Sequence, residues 1–337
     1  MRSAQPKVLH RVAGRPMLDC VLAALEQAGV SSHCVVLSAD LAGFEPFLAA
    51  HPDLCVAIQK NRLGTGDAVA AAAWSFTGVR PAPYAAGQAW RGAQIQSEIV
   101  VVCAGDVPAV QPEVLRAFIE TVRSSNAALG VLGMRLAEPQ GYGRLVTQGE
   151  QLTAIVEEKD ADAATRRIDV CNTGIYAART EALFDLLHGL RPDNAQREYY
   201  LTDCVKLACE RGLATLAVVA GDHRDFAGVN DRVQLAEIEA WLVGRKIRQL
   251  MAQGVSFRLP GTTYVELAVE AGTDCEVGPG ARLCGETRLG DGCQVGAGVT
   301  LDDAKVGDGA VIGDGSFIRN CSINSGERVL PLSVRIG

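Results

Sequence analysis

The chain has no apolar run of membrane-spanning length, which excludes a transmembrane helix read from hydropathy. Its start, Met1-Arg2-Ser3-Ala4-Gln5-Pro6-Lys7, lacks the apolar core of a signal peptide, so a cytosolic protein is expected. There is no block of Lys and Arg, and the formal net charge is −7 over 337 residues. That balance argues against nucleic acid or an anionic membrane as the main partner. Cys-x-x-Cys spacing is absent. The 11 cysteines are odd in number and scattered through apolar segments, which predicts reduced buried thiols without a disulfide framework or a zinc site. The histidines His10, His33, His51, His188 and His223 show no paired spacing and are given no metal role.

What is present is an alternation of apolar strands with amphipathic helices. Pro16 is expected to open a helix whose apolar face is Met17, Leu18, Val21, Leu22 and Leu25. Cys34–Ser38, Val56–Gln59, a run from Ile99 ending in Gly105-Asp106, and Leu129–Met134 read as buried strands. Helices are expected over Asp67–Trp74 and Pro112–Val122, and residues 78–98 read as an exposed insertion. This alternation predicts an open, mostly parallel sheet flanked by helices, a Rossmann-like α/β fold. In such sheets ligands bind at the carboxyl ends of strands, so Asp106, following the most continuous apolar run, is the first candidate site residue. A turn or cap role is its ordinary alternative.

Other polar groups gather at strand ends. Arg62-Leu63-Gly64-Thr65-Gly66 lies between a strand and a helix start, an arrangement whose backbone N–H groups suit phosphate, though it also suits plain capping. Gly141-Tyr142-Gly143-Arg144 precedes a strand, Thr153–Glu157 is a second strand ending in an acid, and Val170–Tyr176, which carries Asn172-Thr173-Gly174, is a third. Together they could hydrogen-bond a neutral polar ligand such as a sugar, while each separately has a turn or surface reading. Asn230 stands where a long helix begins, either as its cap or as a hard oxygen ligand for Mg²⁺ beside Asp106.

The C-terminal region carries a six-residue repeat. Val265, Ala271, Val277, Leu283, Leu289, Val295 and Leu301 recur at that spacing, and Val306, Ile312, Ile318, Ile323 and Val329 continue it with two shortened steps. Repeats of this kind stack as coils of a parallel β-helix. The domains expected are an α/β domain over 1–230, a linker helix over 231–254 and a short left-handed β-helix over 255–337.

Eight motifs in order resemble the bacterial N-acetylglucosamine-1-phosphate uridylyltransferase (GlmU) family. They are Pro6-Lys7-Val8-Leu9 with Ala13-Gly14-Arg15-Pro16-Met17, Leu63-Gly64-Thr65-Gly66, Gly105-Asp106-Val107-Pro108, Gly141-Tyr142-Gly143-Arg144, Ile155–Asp160, Asn172-Thr173-Gly174, Glu198–Asp203 and Gly228-Val229-Asn230. The resemblance implies Mg²⁺-dependent transfer from UTP to N-acetylglucosamine 1-phosphate. It implies Asp106 and Asn230 as the Mg²⁺ ligands and Lys7 as the catalytic cation that neutralises phosphate charge. Gln59, Gly64 and Thr65 would contact uracil and nucleotide, and Gly143, Glu157 and Asn172 the amino sugar and its ribose-side neighbours. Ala104, where the family usually has tyrosine, and Gly105 would line the pocket with backbone. The family's opening strand and glycine-rich loop, ending Gly-Thr-Arg, precede the position that Met1 occupies here; a start codon set too late or an inactive copy would each explain it. Long members use later coils, with a histidine base, for acetyl transfer. No histidine follows His223 here, so a structural stack serving as a homotrimer surface is expected instead. A pyrophosphorylase for another sugar 1-phosphate and a non-catalytic nucleotide-sugar-binding subunit are the alternatives.

Overall fold

A computed structural model describes residues 1, 3–77, 90–91, 95–149, 151–194 and 196–337, so most of the 78–98 insertion lies outside the described residues. The chain divides into two compact units. One comprises Arg2–Leu9 and Leu18–Gly228; the other comprises Met1, His10–Met17 and Val229–Gly337.

The second unit takes in a small hairpin, β1 (Arg11–Val12) with β2 (Arg15–Pro16). Its turn places Ala13 and Gly14 at positive φ. Pro16 therefore closes a strand, and helix α1 (Met17–Gln27) starts one residue later than the proline predicts. The hairpin is held within this unit by Leu267 N–H donating to Ala13 O at 3.1 Å.

In the larger unit, β3 (Cys34–Ser38) and β4 (Cys55–Gln59) pair in parallel, with helix α2 (Glu45–Ala50) between them and β5 (Trp90–Arg91) antiparallel to β4. The helix expected over Asp67–Trp74 begins earlier and breaks at Ala72 into α3 (Thr65–Ala71) and α4 (Ala73–Thr77). A second sheet runs in the order β6 (Ile99–Val102), β10 (Val170–Arg179), β7 (Leu129–Arg135), β11 (Thr215–Val219), β9 (Gln151–Val156), β8 (Arg144–Gln148). Within it β7 and β11 are parallel, while β10 lies antiparallel between β6 and β7. The sheet is thus mixed where alternation of strand and helix predicts mostly parallel pairing, because β10 follows β9 without an intervening α-helix and returns across the sheet.

Two apolar layers cover it. On one face Val100, Leu129, Val131, Tyr176 and Ala178 pack with Leu183 and Leu187 of α6 (Thr180–Gly189) and Cys204 of α7 (Asp203–Glu210). On the other, Leu132, Met134, Ile175 and Ala177 pack with Val21 and Leu25 of α1 and with Leu115, Phe118 and Val122 of α5 (Pro112–Ser124). The alternation along β10 is the period-two signature of a strand buried on both faces. Gly130 marks a close helix approach: a Cβ there would stand 2.4 Å from Val122 Cγ2.

Helix α1 spans two clusters, since its Leu18 and Leu22 join Leu37, Phe47 and Val56 around the smaller sheet. Among the described residues β3 bonds only to β4 and β6 only to β10, so each sheet has an unpaired edge. The apolar run of β6 reads as a central strand. It reports helices α5 and α6 against the strand, not the number of its hydrogen-bonded neighbours.

The C-terminal unit begins with α8 (Arg232–Ala252), which belongs to it rather than standing as a separate linker. From β12 (Ser256–Phe257) to β25 (Val334–Ile336) each short strand pairs in parallel with the third strand after it, forming three sheets around one core. The register follows the six-residue repeat: Val265 pairs with Leu283, Leu283 with Leu301, and Leu301 with Ile318. The shortened steps fall at corners where Asp303 and Asn320 take φ of 52° and 53°. These residue types tolerate that left-handed conformation, so a corner can lose one residue without losing register. A second inward row, Val269, Cys275, Ala281, Thr287, Cys293, Val299, Ala304 and Ala310, is fully buried. All 11 cysteines are free thiols. Among the described residues no helix is long and apolar enough to cross a membrane.

Candidate active site

Asp106 lies in the turn after β6, and Lys7 in a single helical turn, Lys7–Leu9. Lys7 Nζ donates to Asp106 Oδ2 at 2.5 Å, with the two side chains 37% and 20% exposed. A half-exposed pair of this kind contributes little to stability, so its interest is chemical. Gly105 keeps the turn close to its support, since a Cβ there would lie 3.2 Å from Leu18 Cδ1 and 3.5 Å from Val8 Cγ1. Ala104 beside it is exposed.

Gln59 ends β4 and Gly64 caps α3 with φ 110°. Gly64 has no room for a side chain, because a Cβ would meet Tyr199 O at 2.6 Å. Tyr199 N–H donates to Leu63 O at 2.7 Å and Gly66 N–H to Tyr199 O at 2.8 Å. Leu201 N–H reaches Thr65 Oγ1 at 3.1 Å. The turn is thus laced to the Glu198–Asp203 segment, and one of the amides that the sequence offers to phosphate is already spent on Tyr199.

Gly143, Glu157 and Asn172 come together as a third group. Asn172 N–H donates to Gly143 O at 2.8 Å. A Cβ on Gly143 would stand 3.4 Å from both carboxylate oxygens of Glu157. Asn172 sits at a register shift in β10, where Gly174 takes φ 79°. Bulges of this kind re-aim side chains near sites. The Asn172 amide is held from both ends, accepting from Gly174 N–H at 2.9 Å and donating to Tyr176 Oη at 2.9 Å. Burial pushes the Glu157 carboxyl above its ordinary range, with a hydrogen bond from Thr202 opposing and Asp160 and Asp203 adding to the rise. Thr202 and Thr65 tie the second and third groups to the same segment. The first and second share support as well, since Val8 and Ile58, neighbours of Lys7 and Gln59, pack against one apolar cluster.

Asn230 belongs to the other unit. It is not the cap of α8: Asp231 Oδ1 accepts from Val233 N–H and Gln234 N–H, each at 2.9 Å. Asn230 N–H instead donates to Gln234 Oε1 at 2.7 Å. The chain just before it reaches Asp106, since a Cβ on Gly228 would lie 4.0 Å from Asp106 Oδ1.

Residues 1–170 match the family model described as a MobA-like NTP transferase domain. The chain is 34% identical over 334 residues to the bifunctional protein GlmU of Geotalea uraniireducens, covering 99% of this chain and 69% of that protein. The chain belongs to the GlmU family. The GlmU of Azorhizobium caulinodans is 36% identical, with 98% of this chain and 77% of that protein covered. That of Syntrophotalea carbinolica is 38% identical over 306 residues, and there the chain spans 62% of the relative's length against 91% of its own.

Within this GlmU-family chain, three residues support the site without having been given a role from the sequence: Arg144 and Thr202, which stand inside two of the motifs, and Asp67, which lies outside them. Arg144 is 1% exposed and pairs with Glu158 at 2.7 Å, bracing the Gly141–Gly143 turn from below. Its Nη1 also donates to Tyr142 O. Thr202 is buried against Glu157. Asp67, 4% exposed, accepts from Gln59 Nε2 at 2.7 Å. An Asp three residues after a helix-capping glycine is the only sequence signal for the last, and it is shared by ordinary first-turn acids.

The donor set suits Mg²⁺ in one respect. Among the described residues no group of three or more His, Cys, Asp or Glu could hold an ion. A single carboxylate such as Asp106 leaves most positions around an ion to water and substrate phosphates, which is how Mg²⁺ is usually bound and Zn²⁺ is not.

Proposed function

We propose that the chain transfers the uridylyl group of UTP to N-acetylglucosamine 1-phosphate, releasing pyrophosphate, in the cytosol and with Mg²⁺. The observation that carries this reading is the Lys7–Asp106 pair, a cation and a carboxylate in contact at the end of a strand. Asp106 and Asn230 would hold Mg²⁺, which supplies neutralisation of phosphate charge when bound. A phosphate oxygen of the sugar attacks the α-phosphorus, and the bond to the β-phosphate bridge breaks. No protein nucleophile is needed, because such transfers depend on positioning and electrostatic stabilisation. Lys7 would pass from Asp106 to phosphate oxygens as charge builds. Gln59, Gly64 and Thr65 hold the nucleotide, with Ala104 and Gly105 giving a backbone wall. Gly143, Glu157 and Asn172 hold the amino sugar, Glu157 as acceptor for a hydroxyl or amide N–H.

The coil is read as left-handed and as a trimerisation surface without acetyl transfer. Its inward rows carry aliphatic side chains, thiols and hydroxyls, and the last histidine is His223, so the coils offer no imidazole base.

The test is exchange of labelled pyrophosphate into UTP with UDP-N-acetylglucosamine and Mg²⁺. Label should appear in UTP, and Asp106→Ala should lower the rate about 10²–10³-fold or more with unchanged circular dichroism. Normal exchange in that variant removes Asp106 from the site, and binding without exchange in the parent chain favours a nucleotide-sugar-binding subunit.

A further inference from the structure

We propose that Asp67 is a positioning residue that locks the Gln59 amide with its oxygen toward the ligand, so that the site selects bases carrying a ring N–H, uracil over cytosine. This rests on the reading of Gln59 as a base contact. Gln59 Nε2 donates to Gly64 O at 3.1 Å and to Asp67 Oδ2 at 2.7 Å. A carbonyl has no hydrogen to give, so the amide cannot be turned over without setting its oxygen against two acceptors. Both N–H bonds are thereby used inward. Gln59 is half-buried, and its Oε1 accepts no hydrogen bond from the described residues, which leaves it as the atom offered to a ligand.

Uracil presents N3–H between two carbonyls, and cytosine presents a bare ring nitrogen at the same place. The fixed oxygen bonds the first and repels the lone pair of the second. Sites built to hydrogen-bond a donor reject analogues lacking it far more strongly than apolar pockets sort shapes. Thymine has the same edge as uracil and is not separated by this contact. Asp67 does its work without touching the base. An acid in the first turn of a helix usually serves the helix's own amides. Here Asp67, 4% exposed, has its side-chain bond to Gln59, while Gly66 N–H is taken by Tyr199 O and Ala68 N–H by Gly64 O.

The experiment is calorimetric titration of the full chain with UTP and with CTP in Mg²⁺, for the parent, Asp67→Asn, Gln59→Ala and the double variant. The parent should prefer UTP at least tenfold. Asp67→Asn frees the amide to turn and should shrink that ratio about tenfold, weakening UTP while CTP holds or gains. In the Gln59→Ala background the same change should leave the ratio where Gln59→Ala puts it. An unchanged ratio, equal weakening of both nucleotides, or a full effect persisting without Gln59 each overturns the proposal and leaves the function reading standing. A parent chain that binds neither nucleotide, or both alike, overturns the base-contact reading and the proposal with it. Should Asp67→Asn fail to fold by circular dichroism, Asp67→Ser is titrated in its place with the same outcomes.

Discussion

Glu157 carries the clearest electrostatic signature among the residues of the site. Its raised carboxyl means that the folded state binds a proton more tightly than the unfolded chain does. The associated stability is complete below the ordinary glutamate range and is lost as pH rises through the folded value. Glu157→Gln, which cannot ionise, should gain melting temperature over the parent as pH is raised from 4 to 7, the difference closing at the acid end. The same variant should bind the sugar phosphate more weakly, so stability and binding move in opposite directions. Parallel melting curves at all pH values would show that burial exacts no charge penalty there. Arg144 makes the complementary case. Its guanidinium is buried while Glu158 keeps contact with solvent. Arg144→Met should destabilise by about 2–3 kcal/mol in urea unfolding, less than for a fully buried pair because Glu158 can rehydrate.

Among the elements, α8 and the coil are the most legible and the most easily tested. Asp231, not Asn230, caps α8, so Asp231→Ala should cost about 1 kcal/mol and Asn230→Ala should not weaken the helix. Equal losses in thermal unfolding would return the capping role to Asn230. In the coil, where a glycine follows the inward residue, as at Gly278, Gly290 and Gly296, it answers a steric need. A Cβ at Gly278 would lie 2.7 Å from backbone atoms of Gly296 and Ala297 in the next turn. Gly278→Val should therefore force neighbouring turns apart and lower the melting transition of the C-terminal unit by several degrees. The six-residue period was readable because every turn repeats one environment. The second inward row escaped it, since Cys275, Thr287 and Ala304 share smallness and not hydrophobicity. The edges of β3 and β6 were equally hidden: a side-chain pattern records what covers a strand's faces, whereas pairing is made by backbone groups common to all residues. Among the described residues these two largely apolar edges are unpaired, and edges of that kind are an association hazard. The 337-residue chain should show concentration-dependent light scattering, relieved by lysine on the solvent side of β3.

At the scale of the whole molecule, the division into units cuts across the sequence. His10–Met17 clusters with the coil although more than 200 residues separate them. A fragment beginning at Val229 lacks the backbone bond between Ala13 and Leu267 and should melt below the same transition in the full chain. Identical transitions would make the hairpin a bystander.

Local spacing was enough to set the strand and helix alternation, the repeat, the free thiols and the residue types gathered at strand ends. These follow from periodicity and covalent geometry, which act over a few residues. Only the folded chain decided that β10 runs antiparallel between β6 and β7, that a buried arginine braces the Gly141–Gly143 turn, and that Asp67 holds Gln59. Those outcomes depend on which distant segments compete for the same hydrogen bonds and the same buried volume. No short stretch contains both competitors.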